Sequence, residues 1–354
     1  MVFSKNDTLK IKGIAILMMY VHHFYLSPDR YGKYVVDFFP LTETITVYIA
    51  SALKICVAMF VFLTGYGMAI SYKEKEQKVL YIKRRLFTLL INFVFIFLLV
   101  QIVTFPTGRL FEIYGKSGSS VIYFFIDMTG LARLFGTPTF IGTWWYMSLA
   151  VILILLFPCV YKALEELSEI AVLLIVLLPY MTGMDMSTDL LRWIFPMLLG
   201  MYCAMNDCFR KIEKFEKKML GKGADTGFFF IEIFVITALI MARQSEAGTY
   251  ISVITDGFLP MSITYFSTHY VVGLPVVRKI LEVLGRHSMN MFLTHTLVRV
   301  TYFQDFSYGF GNAWVNILVF TIVTLMISVG IELIKRLIKF DKITGVIGRQ
   351  LNLE

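Results

Sequence analysis

Long apolar runs alternate with short polar segments along the whole chain. Ten runs stand out, near residues 10–27, 47–72, 86–104, 143–163, 169–182, 191–206, 227–243, 249–272, 287–304 and 313–335. Most approach about 20 residues, the length at which a helix crosses a hydrocarbon core of roughly 30 Å. Inside such a core every backbone N–H and C=O must find a partner within the segment, which selects helix over an open strand. The pattern predicts an all-α integral membrane protein, a bundle of about ten transmembrane helices. The first run has no small-residue cleavage site and is expected to stay as the first membrane helix. Residues 1–340 are expected to form one transmembrane domain, followed by a short cytosolic tail over 341–354.

The polar segments set the orientation. With the N-terminus in the cytosol, 24 of the 33 Lys and Arg fall on cytosolic segments and eight outside, and Lys54 lies within a helix. A bias of this size follows the positive-inside rule and predicts that both termini are cytosolic. The longest outside segment, 105–142, is rich in aromatics, Gly and Thr. It reads either as an interfacial aromatic belt or as a lid over a substrate site. Residues 207–224 read as a basic amphipathic link lying on anionic lipid.

Composition agrees with the pattern. Only 16% of residues are charged and 57% are hydrophobic, against about 25% charged in soluble domains. The net charge of +8 sits between apolar runs, so topology accounts for it and no nucleic-acid partner is expected. Cys56, Cys159, Cys203 and Cys208 lack metal-ligand spacing. They read as small hydrophobes, with no disulfide framework and no metal.

Ionisable groups at membrane depth are costly and mark function by default. Lys12 and His23 are eleven residues apart, about 1100° of helical rotation and hence within roughly 20° of three full turns. They share one face, about 16 Å apart along the axis. With Lys12 at the cytosolic interface, His23 lies near mid-bilayer. A cation at the mouth suits phosphates, and an imidazole at depth suits a general base. The alternative is that His22 and His23 hydrogen-bond between helices. His22 points about 100° away from His23 and reads as a packing or supporting group.

A wider set could touch substrate or support the residues that do. His295 approaches mid-depth and reads equally as an interhelical hydrogen-bonding group. Lys54 either snorkels outward or contacts substrate. Asp256 either binds a sugar hydroxyl or pairs with Lys54. Lys83, Arg84 and Arg85 are either a topology anchor or a phosphate clamp.

Five motifs in order resemble the membrane acyltransferase-3 family, bacterial enzymes that O-acylate sugars and cell-envelope glycans. Lys12 to His23 resembles the family's basic residue, ten positions, then His. Phe60-Val-Phe-Leu-Thr64-Gly65-Tyr66, Thr143-Trp144-Trp145-Tyr146, Phe195-Pro196 to Gly200, and Gly285 through Ser288 to His295 resemble its later helix motifs. One departure is visible: where the family shows Arg-x-x-Arg, this chain has Arg85 followed by Thr88. The resemblance implies a cytosolic acyl-CoA co-substrate, acetyl-CoA by family frequency, and no permanently bound cofactor. It implies His23 as the catalytic residue, with Lys12, Arg84 and Arg85 on the coenzyme A phosphates. Thr64 is a candidate oxyanion donor, and Trp145 joins His22, Lys54, Asp256 and His295 as a possible substrate neighbour. The acceptor is expected to be a glycan or lipid-linked sugar, in a bacterial plasma membrane. The rivals are a secondary transporter coupling protons through buried His, Lys and Asp, and a membrane sensor or scaffold. No inverted internal repeat favours the transporter.

Overall fold

A computed structural model describes residues 3–183, 189–220 and 224–353. The helices run α1 (Lys5–Tyr25), α2 (Glu43–Ala52), α3 (Cys56–Lys73), α4 (Lys78–Thr104), α5 (Arg109–Tyr114), α6 (Ser119–Met128), α7 (Ala132–Phe135), α8 (Trp145–Leu167), α9 (Glu169–Thr182), α10 (Asp189–Met205), α11 (Cys208–Leu220), α12 (Ala224–Gln244), α13 (Gly248–Phe266), α14 (Pro275–Thr296), α15 (Gln304–Tyr308), α16 (Ala313–Leu337) and α17 (Phe340–Gln350). Helix accounts for 84% of the chain. Among the described residues the sole β pairing is an isolated bridge between Asp37 and Asn312.

All ten predicted runs are helical. Among the described residues five spans are long and apolar enough to cross a bilayer: Glu43–Lys73, Lys78–Thr107, Gly142–Leu167, Thr226–Gln244 and Ala313–Leu337. The others are shorter, as α9 and α10 with 14 and 17 residues, carry more charge, as α1 with Lys10 and Lys12 and α14 with Arg278, Lys279 and Arg286, or are richer in polar residues, as α13. In the most apolar stretch of α12 only 6% of residues are buried against protein. Phe230 and Phe234 stand exposed there, a face that water would penalise and hydrocarbon accepts. The protein is an α-helical membrane protein.

The described chain forms two compact units. The first comprises Met1–Glu74, Phe157–Ser288 and Tyr308–Thr321. Its helices meet at glycines. A Cβ at Gly13 would collide with the Leu281 carbonyl, and one at Gly285 with the Leu9 carbonyl, so α1 and α14 touch backbone to backbone. Gly65 against Met197 and Gly200 against Phe62 do the same for α3 and α10. Between apolar helices in lipid, dispersion at close approach is what favours association, and small residues permit it. The second unit comprises Lys75–Leu156, Met289–Ser307 and Ile322–Glu354. Its core gathers Phe93, Phe97, Tyr114, Phe140, Trp144 and Leu293.

The 105–142 segment folds into α5, α6 and α7 around one buried carboxylate. Asp127 accepts from the Tyr114 hydroxyl at 2.6 Å, the Phe140 N–H at 2.7 Å and the Thr139 hydroxyl at 2.9 Å. Burial pushes its carboxyl up from the ordinary carboxylate range, while these three bonds pull the other way. Residues 207–224 contain α11, which carries its bases on one side and buries Phe209 and Glu216. The C-terminal residues form α17, and Arg84 donates through Nε to the Leu353 carbonyl.

Candidate active site

The helix α1 begins with a capping box. The Ser4 side chain accepts from the Asp7 N–H, and Asp7 accepts in return from the Ser4 N–H at 3.0 Å. Burial works to raise the Asp7 pKa, but hydrogen bonds from Ser4 and Lys10 outweigh it and hold the carboxyl below its ordinary value. From there α1 runs unbroken through both Lys12 and His23. Each is half-buried, and on the face between them Ala15, Ile16 and Met19 are 0%, 0% and 2% exposed. The stripe joining cation to imidazole therefore faces protein. At its far end Arg30 donates to the carbonyls of His22 and His23, at 3.3 and 2.8 Å. This places a cation where the helix leaves carbonyls unpaired and its dipole is negative.

The two histidines do different things. His22 is buried, and its Nδ1–H donates to the Ala50 carbonyl of α2 at 2.8 Å. The His23 ring lies edge-on to it, with centroids 5.1 Å apart.

The Thr64 hydroxyl donates to the Phe60 carbonyl at 2.8 Å within α3, the habit of Thr in membrane helices. The neighbouring Gly65 makes the close approach to α10, so this motif is explained by packing. Asp256, read as either a sugar-binding group or a partner of Lys54, is fully buried and pairs with Arg192, at 3.1 Å, and with Arg243. Lys54 is exposed.

In the second unit, Lys83, Arg84 and Arg85 are exposed at the start of α4. Lys78 and Lys83 line an open groove of about 620 Å³ together with Asn352. Of the tryptophan pair, Trp144 is the buried one, its Nε1–H donating to the Leu293 carbonyl at 2.9 Å. Trp145 is half-buried. His295 is fully buried and uses both ring nitrogens. Its Nδ1–H donates to the Phe292 carbonyl at 2.6 Å, and its Nε2 accepts from Thr296 at 3.1 Å. Thr296 in turn accepts from Thr143 at 3.0 Å. Both partners of His295 belong to α14, and it is the Thr296–Thr143 bond that ties α14 to the turn before α8. Arg30, Asp127, Arg192 and Arg243 escaped the sequence reading as site residues. They looked like ordinary loop charges, and only their buried partners distinguish them.

The fold and its polar interior define a helical membrane protein with an ordered cation-to-imidazole stripe. The chain belongs to the acyltransferase-3 family, whose model, described as an acyltransferase domain, matches residues 11–333. It is accordingly a membrane acyltransferase. No curated protein and no solved structure matches it.

Proposed function

We propose that this acyltransferase moves an acyl group, acetyl in the commonest case, from cytosolic acyl-CoA to a hydroxyl of a cell-envelope or exported glycan. It would act in a bacterial plasma membrane with both termini cytosolic and about ten spans. The observation that carries the reading is the protein-facing stripe on α1 from Lys12 to His23. Lys12 would hold the coenzyme A phosphates. The pantetheine arm would rise past Ala15 and Met19, a small residue and an adaptable one. His23 would accept the proton of the acceptor hydroxyl as its oxygen attacks the thioester carbon. The carbon–sulfur bond then breaks, and the imidazolium returns the proton to the departing thiolate.

Purified protein in proteoliposomes, given acetyl-CoA and glycan, tests this directly. His23→Ala is expected to abolish transfer, and His22→Ala to keep a substantial part of it once folding is matched. Full transfer by His23→Ala would remove the base from the mechanism. Trapping a radiolabelled acetyl group on His23 would instead select a relay through acyl-imidazole. Passage of a substrate across the membrane without modification would favour the transporter.

A further inference from the structure

Near the end of the first unit where α1 stops, two arginines share one buried carboxylate. Arg192 of α10 and Arg243 of α12 both bond Asp256 of α13. One guanidinium would neutralise that carboxylate, and two leave an excess charge. The Arg243 side chain is only 7% exposed, and its Nη2 is buried with no hydrogen-bond partner. A buried charged donor left unmet is costly, and it is stabilised when something brings an acceptor to it. The next residue, Gln244, donates to the Tyr48 carbonyl at 3.2 Å and ties the end of α12 to α2. On that same helix Ala50 accepts from His22. Just beyond it stands Lys54, exposed. Arg30 closes the ring at the His22 and His23 carbonyls. Arg30, Lys54 and Arg243 lie close enough to His22 for their charges to bear on its ring, and Arg192 joins them through Asp256. The nearby Glu43 is engaged by the Tyr31 hydroxyl at 2.8 Å, and Asp29 and Glu246 are exposed.

We infer that this cluster binds an anionic group of the acceptor, a carboxylate or phosphate carried by the glycan, and so selects acidic over neutral acceptors. Arg192 and Arg243 present forked donors that match either oxyanion, and Lys54 adds charge at the rim. An anion seated there would hold a neighbouring hydroxyl beside His23. This last point rests on the acyl-transfer reading, whereas anion binding does not.

The test separates the two. His23→Ala protein in nanodiscs cannot turn over under the mechanism above, so binding is read alone by calorimetry with three probes: an oligogalacturonate, a glycerol-phosphate oligomer and a neutral dextran oligomer. The better acidic probe is expected to bind about tenfold or more tighter than dextran, less so at high salt. Of the two, the tighter names the group recognised. Arg192→Gln and the surface change Lys54→Gln, which leave the Arg243–Asp256 pair intact, are expected to weaken acidic binding about five- to tenfold. In the active protein they should raise the KM for acidic acceptor and leave the KM for acetyl-CoA in place. Equal binding of dextran and both acidic probes overturns the inference, as does acidic binding that both variants leave unchanged. Tight acidic binding with no acetyl transfer to any of the three by the wild-type protein retains the anion site and removes the acyl-transfer reading.

Discussion

Removing one member of a buried ion pair leaves the partner's charge uncompensated, and the penalty exceeds what the pair contributed. Asp256 is the extreme position in this chain, a fully buried carboxylate between Arg192 and Arg243. Asp256→Asn keeps the shape and strands two guanidiniums. It is expected to cost about 3–5 kcal/mol, read as a large drop in the detergent melting temperature. Lys12 is different because it is half-buried at the charged end of α1. Lys12→Ala is expected to leave melting nearly unchanged and to raise the KM for acetyl-CoA about tenfold, roughly one lost charged contact. Lys12→Arg, which keeps the charge, should restore most of it. A Lys12→Ala protein with unaltered donor dependence would detach the donor from this stripe.

Helix positions were readable because hydrocarbon permits so few solutions: each long apolar run had to become helix, and did. What joins the helices was less readable. Gly65, Gly200 and Gly285 sit inside motifs that resemble a catalytic family's, yet each lies against a neighbouring backbone. Gly285→Val would drive a side chain into the Leu9 carbonyl and push α14 from the start of α1. A loss of about 1–3 kcal/mol is expected from such overpacking, and activity should fall with it because Lys12 lies just beyond Leu9. Gly330, with open space around it, is the control: Gly330→Ala should be neutral or slightly stabilising, since it removes a helix-interior glycine. Equal melting of the two variants would reject the crossing as an organising contact. The site was legible to the degree that its geometry lies within one helix, as for Lys12 and His23. It was illegible where partners are remote, as for Arg192, 64 positions before Asp256. Asp127 escaped for a related reason. A lone Asp in a polar stretch looks solvated until Tyr114, Thr139 and Phe140 fold back onto it.

At the scale of the whole protein, the proposed reaction requires its two substrates to meet from opposite sides. Acyl-CoA carries several charges on its phosphates and does not cross hydrocarbon unaided, because transferring unpaired charge into a low dielectric is prohibitive. A polymeric or acidic acceptor is equally excluded. An enzyme with Lys12 at one face and His23 toward the other solves this by moving only the acyl group, small and uncharged, between them. Sidedness is therefore the property that a transporter, a scaffold and an acyltransferase cannot share. In right-side-out vesicles with acceptor outside, acetyl-CoA is expected to be consumed when loaded within the lumen and ignored when added outside. Inverted vesicles, with acceptor enclosed, should show the reverse. The charge bias of the polar segments makes the same assignment independently. On a cysteine-free background, a cysteine replacing exposed Ser117 should react with an impermeant maleimide from outside, and one replacing exposed Lys218 on α11 only after permeabilisation. Acetyl-CoA consumed from the Ser117 side would reverse the orientation of α1 and take the Lys12-to-His23 route with it.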